Sequence, residues 1–358
     1  MSGSILGQVF RVNTFGESHG PALGCVIDGC PAGLALCIED INAEMRRRRP
    51  GGIYASPRKE EDEISILSGV FEGFTTGAPI ALVVYNNEQK SQDYDSLRHV
   101  FRPGHADYTL FAKYGIYDHR GGGRASGRET AARVAAGAVA KLILAQLGIK
   151  ITAKVAAIGD VMVSGNFLDN KQAVELLENC IKNGDSIGSR AACCIDGIKP
   201  GMGLPVFDKL SADLAKAVHS IGGVKAVEFG AGFMAAKMFG SENNDEFCVS
   251  NDEVCKKSNN AGGMLGGISD GTEIYFDVAF KPPSSIKKEQ STVGTDGNAV
   301  QVAVHGRHDP VIAPRACVVI EAMAAIVVVD HIFRSFADTM EGVKRAYESP
   351  FCRSVRYP

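Results

Sequence analysis

Apolar residues along this chain recur in two patterns. Short runs rich in β-branched residues, bounded by Gly and Pro, fall at 23–28, 80–85, 151–158, 273–280 and 299–304. They predict strands. Two longer segments, 129–147 and 314–336, carry Ala, Val, Leu and Ile on nearly every side. A helix apolar all round is buried on more than one face. Outer helices are predicted at 38–47, 171–183 and 212–220. Strands and helices do not alternate regularly enough for a doubly wound sheet, so the pattern predicts an α+β fold with mainly antiparallel sheets. Each long apolar helix follows an Arg-bearing polar loop, 123–130 and 306–316. That likeness suggests an internal duplication, with two central helices between sheets.

Composition narrows the function. The chain has 358 residues, 45% hydrophobic and 22% charged, with a net charge of -3. The acidic balance argues against bulk nucleic-acid affinity, which needs a positive surface to release counterions. The ten Cys include no CxxC pair. Cys25, Cys37, Cys193, Cys194 and Cys317 lie in apolar runs and read as buried, reduced thiols of a cytoplasmic protein. No metal site is expected. The first 20 residues lack a basic start followed by an apolar stretch, so no secretory leader is expected. The most apolar segment, 316–329, is shorter than the ~20 residues of a bilayer span and contains Glu321, so no membrane role is expected. No Pro-rich linker divides the sequence, and 1–358 reads as a single domain. The most polar stretch, 241–260, is expected to be a surface excursion, mobile until it meets a ligand or a neighbouring subunit.

Candidate chemistry sits in Gly-rich loops. In Gly16-Glu17-Ser18-His19-Gly20, the ring of His19 is suited to proton transfer near neutral pH, with a structural hydrogen bond as the alternative. Four Arg at 46–49 end a predicted helix. Successive side chains turn by about 100°, so one or two can point at a common anion. In 102–107, Arg102 and His105 present cations, and Asp107 is placed to orient His105 or to cap the next segment. In 120–130, three Arg interleave a Gly-rich turn that leads into a buried helix, where bare backbone N–H groups and the helix dipole favour an anion. The Gly pairs of 260–271 let backbone approach a flat ring, although a plain hairpin explains them as well. Lys281, Ser284 and Ser285 suit a phosphate tail. Asp309, in the turn 306–310, is an acid–base candidate. So many cationic loop groups imply a ligand with several negative charges.

These motifs resemble, in the same order, the signature set of the chorismate synthase family. The resemblance runs from about residue 7 to 330. It implies a β-α-β sandwich with central buried helices between mainly antiparallel sheets. The implied activity is that of a carbon–oxygen lyase: anti 1,4-elimination of phosphate from 5-enolpyruvylshikimate 3-phosphate to give chorismate, with reduced FMN and no net redox change. A homotetramer is implied as well. His19, His105 and Asp309 resemble the family's catalytic groups, supported by Ser18 and Ser126. FMN contacts are implied at Arg124, Ala125, Ser126, Gly222, Gly223, Gly266, Lys281, Pro282, Pro283, Ser284, Ser285 and Arg307. Arg48, Arg102, Arg128 and Arg307 are implied to hold the substrate's phosphate and carboxylates, and Arg48 is also the family's position for a nicotinamide cofactor.

The chain departs from the family pattern twice. Tyr54 stands where an Arg is common, with Arg58 expected to reach in instead. Ala125 stands in place of a hydroxyl residue, so a flavin contact there must come from backbone. NADPH is one possible source of electrons for the flavin. The lack of a dinucleotide fingerprint favours a separate flavin reductase. Two rival readings are a different phosphate-handling flavoenzyme and a nucleic-acid binder using the 46–49 run.

Overall fold

The computed structural model describes residues 3–49, 54, 62–86, 97–250, 252–304 and 309–348. Eight helices are assigned among them. They are α1 (Ile38–Arg48), α2 (Asp107–Tyr114), α3 (Thr130–Gln146), α4 (Lys171–Lys182), α5 (Leu210–His219), α6 (Gly240–Asn243), α7 (Ala313–Arg334) and α8 (Met340–Glu348).

Two five-stranded sheets enclose the longest helices. The first runs Ile5–Leu6, Arg11–Gly16, Ala22–Asp28, Ile80–Tyr85 and Ile64–Ser68 in spatial order. The second runs Val224–Phe229, Ile274–Phe280, Ser189–Asp196, Lys150–Ile158 and Val161–Met162. Every neighbouring pair in both sheets is antiparallel. In strand Ile274–Phe280 burial alternates strictly, with Ile274, Phe276, Val278 and Phe280 turned inward. Each such side chain taken fully out of water contributes about 1.5–3 kcal/mol.

α3 packs on the first sheet, α7 on the second, and the two helices pack on each other. The expected sandwich, with central helices between antiparallel sheets, is what the structure shows. Small side chains set the helix spacing. A methyl group on Gly137 would lie 2.3 Å from Ala322 Cβ and 2.5 Å from its Cα. Gly137 lies seven residues into α3 and Ala322 nine into α7. The helices therefore meet near their middles.

α7 matches the predicted helix 314–336 to within two residues at each end. With the following turn it spans Ala313–Ala337 and meets the length and composition of a membrane span, but 94% of its most apolar window is buried inside the protein. Its charges are compensated. Glu321 accepts from Arg47 at 2.6 and 2.8 Å, from Lys141 at 2.5 Å and from the Ala153 amide at 2.9 Å. Asp330 accepts from the amides of Gln8, Val9 and Phe10.

The stretch 241–260 is largely exposed, and its anchoring was not foreseen. It holds a short hairpin, Phe247–Ser250 against Glu253–Lys256, whose root is buried. Lys256, 2% exposed, binds Asp270 at 2.6 Å and Asp245 at 3.3 Å. Burial pushes the Asp245 carboxyl up, but donors from Ser258, Ala261 and Asn260 and the Lys256 charge outweigh it and hold the group at about 2. A polar sequence here encodes an ion-pair anchor as well as a solvated surface.

The close approach of α3 and α7 yields a test. Gly137→Val should destabilise the fold by about 1–3 kcal/mol through overpacking. A lower urea midpoint followed by circular dichroism is the expected result. An unchanged midpoint would show that the helices part without cost.

Candidate active site

The Ser18–His19 turn joins strands Arg11–Gly16 and Ala22–Asp28. Asn86, just past Ile80–Tyr85, ties it down by donating to Gly20 O at 2.7 Å and Glu17 O at 3.1 Å. The loop before α3 then lies on the His19 ring. A side chain at Gly121 would meet His19 Cδ2 at 2.5 Å, Nε2 at 2.7 Å and Ser18 Oγ at 3.0 Å. Gly121 also has φ +61, so only glycine suits it on both counts.

A chain of charges extends from this turn. Asn86 Oδ1 accepts from Arg128 Nε at 3.0 Å, and Arg128 Nη1 binds Asp62 at 2.6 Å. The other Asp62 oxygen accepts from Arg48. The Asp62 and Arg48 side chains are 0% and 2% exposed. Burial alone would raise the Asp62 carboxyl, but the two guanidinium charges outweigh it and hold it below its ordinary range. Arg315, in the first turn of α7, donates to the Arg48 carbonyl at 3.2 Å and binds Asp309 at 2.8 Å.

A second group faces the same loop. A methyl on Gly122 would lie 3.8 Å from Arg102 Nη2. Arg102 clasps Asp107 through Nε at 2.7 Å and Nη2 at 2.8 Å. This corrects the sequence reading of Asp107, because a buried guanidinium fork matches both carboxylate oxygens. His105 Nε2 instead meets Ser285 Oγ at 3.0 Å. Lys281 donates to Gly104 O at 2.5 Å and Ser284 Oγ at 2.6 Å, and its amide bonds Gly223 O at 2.9 Å. Burial, with the Lys225 charge adding to it, lowers the Lys281 pKa. Gly223 faces Ile312, just before α7.

The structure thus brings His19, Ser18, Arg48, Arg102, His105, Arg128 and Asp309 into one connected region, with Lys281, Pro282, Pro283, Ser284, Ser285, Gly222 and Gly223 along its edge. Arg124 turns toward strand Arg11–Gly16, binding Thr14 Oγ1 at 2.8 Å. The loop carrying Ala125 and Ser126 is two 3₁₀ turns, Gly123–Ala125 and Gly127–Glu129, rather than an open helix N-terminus. The amides of Ala125, Ser126 and Glu129 bond within those turns, so the expected bare backbone donors there are already engaged.

Gly266 does not join this region within one chain. Its hairpin adjoins Ile274, whereas Lys281 follows Phe280 at the other end of the strand. A seven-residue strand separates the two by about 20 Å. Arg307 and Arg58 lie outside the described residues. Tyr54 donates to Glu178 of α4 at 3.2 Å.

Sequence reasoning missed Asp62, Asn86, Arg315 and Tyr117. The Tyr117 hydroxyl is buried and, like Ser18 Oγ, has no hydrogen-bond partner among the described residues. Burial first, then the Asp107 charge, pushes its phenol above the ordinary range. Buried hydroxyls of this kind suit a polar ligand. The Lys281 ammonium beside the Ser284 hydroxyl, with the neighbouring Ser285 hydroxyl on His105, is a donor set that fits a phosphate monoester, so the residues present are compatible with FMN.

Comparison with known proteins gives the same direction. The sequence profile of the family described as chorismate synthase matches residues 10–333. A curated chorismate synthase of Lachnospira eligens is 50% identical over 364 residues, covering 97% of this chain and 100% of that protein. One from Methanosarcina mazei is 48% identical over 355 residues, covering 94% and 97%. A crystal structure of chorismate synthase superposes with a TM-score of 0.73 at 33% identity, covering 96% and 97% of the two chains. With near-complete coverage in sequence and in fold, the chain belongs to the chorismate synthase family.

Proposed function

We propose that this connected region binds 5-enolpyruvylshikimate 3-phosphate and, with reduced FMN, runs the family's anti 1,4-elimination of phosphate to give chorismate. The observation that carries this reading is the continuous polar chain from the Ser18–His19 turn through Asn86, Arg128, Asp62, Arg48 and Arg315 to Asp309. It links cations and proton-transfer groups in one hydrogen-bonded network.

Each group has a physical task. Arg48, Arg102 and Arg128 stabilise charge that grows on the departing phosphate and hold the carboxylates. His105, steadied by Ser285, supplies a proton on the phosphate side. His19, against the Gly121 backbone, and Asp309, held by Arg315, serve proton transfer on the ring side. Arg124, Ala125, Ser126 and the 281–285 segment are assigned to FMN, with Arg307. Bound reduced FMN supplies electron density to the allylic system, chemistry that no side chain here provides.

The same reading assigns flavin reduction to a separate reductase. Oxidation of NADPH by this chain alone would overturn that assignment. It also takes the protein to be a homotetramer. The almost fully exposed Phe207 and the largely exposed Tyr347 and Ile116 support burial against other copies.

The direct test is an anaerobic assay with substrate and chemically reduced FMN, without nicotinamide. Chorismate should form, and absence of product would reject the reading. In that assay His19→Ala and His105→Ala should each lower turnover about 10²–10⁴-fold. Near wild-type rates would remove those residues from the mechanism. Asp62→Asn should lower kcat/KM about 10²-fold, mostly through KM, because it misplaces two arginines at once. Unchanged steady-state constants would show that the arginines hold themselves.

A further inference from the structure

The hairpin of 247–256 holds a feature unrelated to the site. Cys248 and Cys255 are direct partners across its two antiparallel strands. Such partners have Cα atoms about 4.5–5.5 Å apart. That separation falls within the roughly 4.4–6.8 Å that a disulfide spans. The two sulfurs already face each other, 2.6 Å apart, and both residues are partly exposed. Side chains alternate along a strand, so the thiols share one face while Val249 and Val254, 75% and 73% exposed, occupy the other.

The hairpin is held in this register from its root. Lys256, next to Cys255, is fixed between Asp245 and Asp270. The strands therefore need little rearrangement to be cross-linked. The remaining described thiols lack this arrangement. Cys25, Cys30, Cys193 and Cys317 are buried, whereas Cys37, Cys180 and Cys194 are at least partly exposed but have no facing sulfur like this one among the described residues.

We propose that Cys248 and Cys255 form an oxidisable dithiol that exchanges with low-molecular-weight disulfides to give a cross-strand disulfide. In the first step one thiolate attacks a sulfur of the small disulfide and releases one small thiol. In the second, the partner thiolate attacks the resulting mixed disulfide and releases the other. The protein gives up two electrons and two protons, and the small disulfide takes up both. The hydrogen bond to Cys248 raises the Cys255 pKa, so exchange quickens as pH rises above neutrality.

The full-length protein should be incubated with glutathione disulfide, alkylated and digested with trypsin. Cleavage after Lys237 and Lys256 places both cysteines on one peptide, 238–256. The expected result is that this peptide becomes two hydrogens lighter, carries no alkyl group and no glutathione, and recovers two alkylation sites after reduction. Cys248→Ser should instead leave Cys255 carrying a single glutathione. The proposal is overturned if peptide 238–256 retains both glutathiones, links to another peptide, or stays fully alkylatable while exposed Cys37 has reacted.

Discussion

One buried carboxylate, Asp62, engages Arg48 and Arg128 at the same time. Isolated in the interior, any of these three charges would be costly, and breaking such a set by removing one partner costs about 3–5 kcal/mol. Their positions are therefore mutually dependent. Arg48 ends α1, and Arg128 lies in the turn before α3. Through Asn86 the same set fixes the turn that carries His19, and through the Arg48 carbonyl it meets the Arg315–Asp309 pair. Segments far apart in sequence are registered against one another by this single arrangement.

The sandwich makes the arrangement possible. α3 and α7 pack closely because Gly137 meets Ala322, and arginines at their starts, Arg128 through Asp62 and Arg315 directly, tie both to Arg48 at the end of α1. Glu321, deep in α7, binds Arg47 and Lys141 and so holds α1 and α3 to the same layer. Arg47 and Arg48 thereby face different partners. Arg47 secures the helix, whereas Arg48 reaches Asp62. The run of four arginines is thus divided between architecture and the candidate site, as the turn of a helix requires.

Much of the fold was legible in the sequence because its strongest signals are local. The two all-round apolar helices and strands such as Ile274–Phe280 follow from periodicity within a short window. Strand Ser189–Asp196 was not recognised. Its inward positions include Ala191 and Cys193, which carry little β signal, and its pairing with two neighbours is a tertiary matter. The family's loops and their candidate residues were legible as motifs, but their mutual partners were not. Nothing near Asp62 in the sequence marks it as the partner of an arginine 66 positions away. Nothing near Asp107 shows that Arg102, rather than His105, will take both its oxygens. The Gly-rich turn read as a bare helix start became two 3₁₀ turns, because its amides find local carbonyls first.

The central claim is that Arg48 and Arg128 act as one unit through their shared carboxylate. A double-mutant cycle on kcat/KM for 5-enolpyruvylshikimate 3-phosphate, using Arg48→Ala, Arg128→Ala and the pair, measures it most directly. A coupling of about 1 kcal/mol or more is predicted, with the double variant losing less than the two single losses combined. Additive losses would contradict the account.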